Sequence, residues 1–234
     1  MTFLRLEEPR ALEQAIASLQ HGGVVAYPTD TVYGIGASLQ FPESLRRIFE
    51  IKGRRREQTL PVLLASSEDL HKVSPGVDPR LLTLASRYWP GPLTVAVPAR
   101  PGLPADVVAP DGTVGVRVPA HSVALTLARR CGGALATTSA NISGFPPAQS
   151  AEEIAEPVQQ TVDIVLDGGI SRGGTASTVI RQEGATISII REGAITASEL
   201  QDAWREILDT HGASAPASDA LPQGGETPHE QSRG

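Results

Sequence analysis

Hydrophobic positions along the chain switch between helical and strand-like spacing. Leu12, Ile16 and Leu19 share one face of a helix, and Gly22-Gly23 ends it. The apolar run Val24–Tyr27 then reads as a buried strand. Phe41–Ile51 returns to helical spacing through Leu45, Ile48 and Phe49 and stops near Gly53. Leu60–Ala65 predicts a short strand, and Ser66–Lys72 and Asp78–Tyr88 predict helices, the second opened by Asp78 as N-cap. Trp89-Pro90-Gly91-Pro92 forces a turn. Strands are expected at Leu93–Pro98 and Val114–Val118, a helix at His121–Arg130 closed by Gly132-Gly133, a strand at Ala134–Thr138 and a short helix at Ala151–Glu156. Asp163–Leu166, Ser177–Arg181 and Thr186–Arg191 follow as strands, and Ser198–Leu208 as a helix capped by Ser198. Strands interleaved with helices, with a hairpin-like pair towards the C-terminus, predict the α/β class with a mixed rather than strictly parallel sheet.

Composition narrows this picture. A length of 234 residues suits one domain with an appendage. Residues 1–210 form the expected folded domain, and 211–234, rich in Ala, Ser, Pro, Gly and Gln, are expected to be disordered. A net charge of −6 argues against a surface that grips nucleic acid everywhere, while leaving room for a local basic groove. Cys131 is the sole cysteine and the five histidines are scattered, so no disulfide or familiar metal spacing emerges. Residues 1–9 lack a signal-peptide core and no segment is long enough to span a bilayer, so a cytoplasmic protein without membrane contact is expected.

Four polar constellations carry candidate chemistry. The run Tyr27-Pro28-Thr29-Asp30-Thr31-Val32-Tyr33-Gly34-Ile35-Gly36 follows the first strand, where ligands bind in open α/β sheets, although Pro28, Gly34 and Gly36 also support a Pro-initiated turn whose threonines pack and cap. Lys52-Gly53-Arg54 can neutralise a polyphosphate, against the commoner explanation of a solvated basic face. Ser139-Ala140-Asn141 ends a short apolar strand and offers a hydroxyl and an amide to phosphate, ribose or base, or simply closes a turn. Arg117 lies among valines and requires an anion, either a carboxylate of the protein or one of a substrate. Neither a G-x-x-x-x-G-K-[ST] loop nor a G-x-G-x-x-G turn after a strand is present, and neither is a nucleophile elbow or H-E-x-x-H.

In order and spacing, Pro28–Gly34, Lys52-Gly53-Arg54, Trp89–Thr94, Val116–Pro119, Ser139-Ala140-Asn141-Ile142-Ser143-Gly144 and Ser177-Thr178-Val179 resemble the YrdC-like threonylcarbamoyl-AMP synthase family over about residues 10–195. The resemblance implies a twisted open sheet around a large polar cavity. It implies synthesis of L-threonylcarbamoyladenylate and pyrophosphate from L-threonine, bicarbonate and ATP, feeding N6-threonylcarbamoyladenosine modification of tRNA by a separate transferase complex. It assigns Lys52, Arg54, Thr113, Ser139, Asn141 and Arg191 to ATP, with Lys52 and Arg54 as catalytic residues. Thr31, Arg117, Thr137 and Ser177 would hold threonine, Arg117 meeting its carboxylate. Mg2+ would ride on the ATP phosphates. The chain departs from many members at Leu63, Thr138, Ala176 and Phe145-Pro146-Pro147. An alternative reading is an RNA-binding, ribosome-maturation module of the same fold, gripping RNA through Arg46, Arg47, Lys52 and Arg54–Arg56. The net acidity and 4% aromatic content count against it, leaving at most weak tRNA binding.

Overall fold

The computed structural model describes residues 1–52 and 59–212. Among the described residues ten strands form one sheet: β1 (Thr2–Arg5), β2 (Val25–Tyr27), β3 (Gly34–Ser38), β4 (Val62–Leu64), β5 (Leu93–Pro98), β6 (Thr113–Arg117), β7 (Ala134–Ser139), β8 (Ile164–Asp167), β9 (Thr178–Glu183) and β10 (Thr186–Arg191). Their spatial order is β1-β8-β2-β3-β7-β4-β6-β5-β9-β10. The sheet is mixed as expected: β1, β8 and β2 run parallel, as do β4 with β6 and β5 with β9, and the other neighbours are antiparallel. The helices are α1 (Ala11–Gln20), α2 (Pro42–Lys52), α3 (Pro79–Tyr88), α4 (Ser122–Arg130), α5 (Glu156–Thr161) and α6 (Ala197–Gly212).

Strand side chains alternate between faces, and the two faces here are unlike. One carries Val62, Leu64, Leu93, Val95, Val97, Val114, Val116, Ala136 and Ile180, packed with Leu45 and Ile48 of α2, Leu81 and Leu84 of α3, and Leu200, Trp204 and Ile207 of α6. The other is apolar only at one end, where Val25, Tyr27, Leu63 and Leu135 meet Ile16 and Leu19 of α1 and Val123 and Leu127 of α4. Beyond that end, the same face turns small and polar: Thr94 and Ala96 on β5, Thr113, Gly115 and Arg117 on β6, and Thr137 and Ser139 on β7.

Several sequence expectations need correction. The stretch 28–36 holds not only a turn but the start of β3, which pairs with β2 from Val25 opposite Gly36 to Tyr27 opposite Gly34. A Cβ at Gly36 would lie 2.8 Å from Ala136 O and 3.0 Å from Tyr27 Oη, so only glycine lets these strands close. Ala151–Glu156 is not a helix; the helix starts at Glu156, where Pro157 occupies a first-turn position that needs no N–H. The final helix is capped by Thr196, whose Oγ1 accepts from Glu199 N, and not by Ser198. Ser67–Lys72 is a 3-10 helix. Asp78 caps α3 as expected, its side chain accepting from Arg80 N. The disordered tail expected at 211–234 falls largely outside the described residues.

Candidate active site

A cavity of about 440 Å³ lies on the small, polar part of the sheet face. It spreads over the strand surface, whereas the opening turn alone pointed to the strand ends. Of the residues singled out in the sequence, Thr31, Thr113, Arg117, Thr137, Ser139, Ser177 and Arg191 all line it. Lys52 and Asn141 stand against Ser139 without lining the cavity themselves. Arg54, with Arg55 and Arg56, lies outside the described residues.

The turn between β2 and β3 builds one wall. Thr29 Oγ1 donates to Val32 O at 2.6 Å and accepts from the N–H of Thr31 at 3.1 Å, which makes it the organiser of the turn. Its proton being committed, the 3.0 Å contact with Thr31 Oγ1 is donated by Thr31. Thr31 Oγ1 in turn accepts from Arg117 Nη1 at 3.1 Å. One lone pair of Thr31 is left, so this hydroxyl can only accept from a ligand. Thr137 reaches the same state by a different route. It donates to Ile35 O at 3.3 Å and takes the 2.8 Å hydrogen bond of the Tyr27 hydroxyl. Burial pushes the Tyr27 pKa up, which keeps that hydroxyl a donor.

Arg117, at the end of β6, resolves the question its apolar setting raised. Its anion is Asp30, 2.6 Å from Nη2, and its Nε donates to Gly91 O at 2.9 Å in the turn that follows the cis Trp89–Pro90 bond. Asp30 therefore does more than shape the turn: it orients the guanidinium beside Thr31. Across the cavity, Arg191 donates through Nη2 to Ser177 O at 2.7 Å and to Ser177 Oγ at 3.2 Å, and Ser177 Oγ meets Thr94 Oγ1 at 2.9 Å. No carboxylate forms an ion pair with Arg191 among the described residues. Burial first, and the like charge of Arg117 second, lower the Arg191 pKa from its ordinary value. An anion bound between them would relieve both effects.

The Lys52 ammonium, 1% exposed, donates to Ser139 O at 2.6 Å and Asn141 Oδ1 at 2.5 Å. Ser139 Oγ donates to the same amide oxygen at 2.6 Å, and Asn141 Nδ2 donates to Phe145 O at 2.6 Å. The Lys and Ser-x-Asn motifs, 87 residues apart, thus form one cluster behind the cavity wall. Sequence reasoning placed Asp30 and Thr94 inside motifs without a ligand role, and did not single out Arg181, which also lines the cavity. Alternation along β5 and β9 marks the last two, whereas nothing local marks the Asp30–Arg117 pair, which links residues 87 apart. Arg46 is paired with Glu43 and Arg47 with Asp163, which removes two cations from the basic cluster that motivated an RNA-binding reading.

Comparison with known proteins gives three kinds of match. The Sua5/YciO/YrdC family model, described as "Telomere recombination", matches residues 17–193. A Pyrococcus abyssi protein named threonylcarbamoyl-AMP synthase is 36% identical over 203 residues, covering 87% of this chain and 59% of that protein. A Mycobacterium tuberculosis protein named putative threonylcarbamoyl-AMP synthase is 33% identical over 208 residues, covering 89% of this chain and 94% of the relative. The crystal structure of P. abyssi Sua5 complexed with L-threonine superposes with a TM-score of 0.80 at 33% identity, covering 94% of this chain and 66% of that one. The chain therefore spans about three fifths of the length of the P. abyssi relative and nearly all of the mycobacterial one.

Proposed function

The chain belongs to the Sua5/YciO/YrdC family, and we propose that it synthesises L-threonylcarbamoyladenylate and pyrophosphate from L-threonine, bicarbonate and ATP. The observation that carries this reading is the division of unused hydrogen-bonding capacity in the cavity. Thr31 and Thr137 retain only acceptor capacity, while Arg117 beside Thr31 has further N–H donors. An α-amino acid fits that division, with its amine donating to the threonines and its carboxylate facing Arg117. Ser177 completes the amino-acid side.

In the proposed reaction bicarbonate takes up a proton and loses water to give CO2, and the ammonium group of threonine loses a proton. The resulting amine attacks the carbon of CO2, and the nitrogen releases a second proton to leave a carbamate anion. A carbamate oxygen then attacks the α-phosphorus of ATP. The bond from that phosphorus to the bridging oxygen breaks, and pyrophosphate leaves with the electron pair. Such a transfer needs positioning and charge neutralisation rather than a covalent nucleophile. Lys52, Arg54, Thr113, Ser139, Asn141 and Arg191 are the residues we assign to ATP, with Lys52 and Arg54 meeting the charge that develops. Mg2+ enters as part of the MgATP substrate. In that reading the phosphates of ATP are its ligands. No helix among the described residues is long and apolar enough to cross a membrane. We place the reaction in the cytoplasm, its product passing to a transferase complex that modifies tRNA next to the anticodon, with any direct tRNA contact weak.

The test is pyrophosphate release from ATP by the purified chain. Release should require both L-threonine and bicarbonate. Equal release without threonine would end this assignment.

A further inference from the structure

Tyr27 is wholly buried on β2, yet its hydroxyl meets Thr137 on β7, and β3 lies between those two strands. The reach is possible because β3 carries glycine at both positions beneath the ring. Gly34 stands opposite Tyr27 and Gly36 opposite Thr137, so all four residues share one face of the sheet. A Cβ on Gly34 would lie 3.6 Å from Tyr27 Cε2 and 3.3 Å from Thr137 Oγ1, and one on Gly36 would lie 3.1 Å from Tyr27 Cε1 and 3.0 Å from its Oη. The ring therefore crosses β3 diagonally, from Gly34 to Gly36, and ends at a hydroxyl that lines the cavity. Neither glycine has a positive φ, so backbone conformation is not what selects them. At Gly36 the carbonyl of Ala136 excludes a side chain as well.

The buried phenol has one task open to it. Its hydroxyl has no other hydrogen-bond partner among the described residues, so its proton goes to Thr137 Oγ1 at 2.8 Å. Thr137 sends its own proton to Ile35 O over a long 3.3 Å. A threonine hydroxyl left to itself turns either its proton or a lone pair towards a ligand. Here the proton is directed to Ile35 and one lone pair is filled by Tyr27, so the second lone pair is all that remains for the cavity. Without the phenol, only the long bond to Ile35 would hold the rotor. The proton would then be free to turn towards the cavity, where it opposes a ligand that arrives as a donor.

We propose that Tyr27 is a positioning residue: acting through Thr137, it holds that hydroxyl as an acceptor for the amine of the amino-acid substrate, and Gly34 and Gly36 let the ring reach it. This rests on reading Thr31, Arg117 and Thr137 as the amino-acid wall of the cavity. Tyr27 does not line the cavity itself and meets no ligand. The two glycines of the Gly34-Ile35-Gly36 run thus serve as the bed of a tyrosine and not as a phosphate-binding turn.

Steady-state pyrophosphate release by the full chain tests the role. Tyr27→Phe keeps the ring and removes only the hydroxyl. It should raise KM for L-threonine about tenfold, equivalent to about 1.4 kcal/mol, and leave KM for MgATP within about twofold. A purely structural loosening would raise both. Thr137→Ala should raise KM for L-threonine at least as much, and adding Tyr27→Phe to it should change that KM by less than about twofold, because the group through which Tyr27 acts is gone. Thr137→Ser keeps a hydroxyl for Tyr27 to hold and should stay within about twofold of the wild type. A KM for L-threonine in Tyr27→Phe within about twofold of the wild type, a parallel rise in both KM values, or multiplying effects in the double variant would overturn the role. So would a loss in Thr137→Ser as large as that in Thr137→Ala. If wild-type release does not depend on L-threonine, the amino-acid reading itself fails, and the positioning role with it.

Discussion

Replacing Asp30 by Asn removes the negative charge from the ion pair that orients Arg117. The side chains are 14% and 7% exposed, so the pair is close to fully desolvated. Removing one partner of a buried pair costs about 3–5 kcal/mol. Arg117 keeps its hydrogen bonds to Gly91 O and Thr31 Oγ1, and Asn can still offer an oxygen to Nη2, so the cost should fall to about 2 kcal/mol. For a chain of this size each kcal/mol moves the melting temperature by about 2–4 °C, which puts the expected loss at about 4–8 °C. L-Threonine should then restore more stability to the variant than it adds to the wild type. Its carboxylate would meet an Arg117 that no other anion claims, and would no longer face the like charge of Asp30. Two carboxylates about 6 Å apart repel by roughly 3 kcal/mol at an effective dielectric of about 20, and screening from the open cavity brings this nearer 1 kcal/mol. The assay is thermal unfolding with and without saturating L-threonine. A variant that melts within 2 °C of the wild type (roughly the resolution of the comparison), or a threonine-induced shift smaller than that of the wild type, would refute the reasoning.

Lys52→Ala should lower the rate of threonine-dependent pyrophosphate release at least about 100-fold, because it removes a buried charge behind the cavity wall and releases Ser139 and Asn141, which that ammonium holds. Arg46→Ala, which removes an exposed cation paired with Glu43, should leave the rate within about twofold, so equal effects would show general electrostatics at work. Hydrogen bonds from Arg80 and Gln182 hold Asp78 well below the usual carboxylate range. Its contribution to stability is therefore present above the unfolded-state value near 3.9 and is lost as pH falls towards its depressed folded value. Asp78→Ala should cost about 1 kcal/mol at pH 7 in urea unfolding, and the gap to the wild type should narrow below about pH 4. Burial pushes the Cys131 thiol up to about 11. Alkylation of the native protein at pH 7 should be slow, and should accelerate sharply in denaturant; rapid native labelling would contradict the burial.

What could be read from the sequence, and what could not, divides along physical lines. Helices with a strong apolar stripe, such as those containing Leu12, Ile16 and Leu19 or Leu81 and Leu84, were legible because burial of one face defines them. The strand Gly34–Ser38 was not, since its Gly-Ile-Gly-Ala-Ser run carries little intrinsic strand preference and is held by pairing with β2 and β7. Ala151 and Ile154 are buried at a spacing that imitates a helix, but they pack as turns ahead of Pro157. In the site, the residues named from family-like motifs converge on one cavity or stand against its wall, while Arg54 lies outside the described residues. The Asp30–Arg117 pair escaped because ion pairing between distant segments has no local signature. Arg181 escaped because an arginine near the edge of a sheet is ordinarily a solvated one.

The unequal covering of the sheet explains why a cavity exists at all and why it is selective. Helices α2, α3 and α6 bury one face along most of its width, whereas α1 and α4 cover only one end of the other. Large apolar side chains on the bare part would be a liability, and the chain instead places Thr94, Ala96, Thr113, Gly115 and Thr137 there. Its polar groups are engaged internally before any ligand arrives: Thr31 with Thr29 and Arg117, Thr137 with Tyr27 and Ile35, Arg117 with Asp30 and Gly91, Arg191 with Ser177. These partners fix the orientation of each group, so little ordering remains to be done on binding. They also leave each group one kind of vacancy, acceptors at Thr31 and Thr137 and donors at Arg117, Arg181 and Arg191. A ligand that presents donors where the arginines stand leaves buried N–H groups unpaired, at a cost of several kcal/mol for a few such mismatches. For the proposed substrates, discrimination against other small molecules of similar size would follow from internal hydrogen bonds that the ligand never touches.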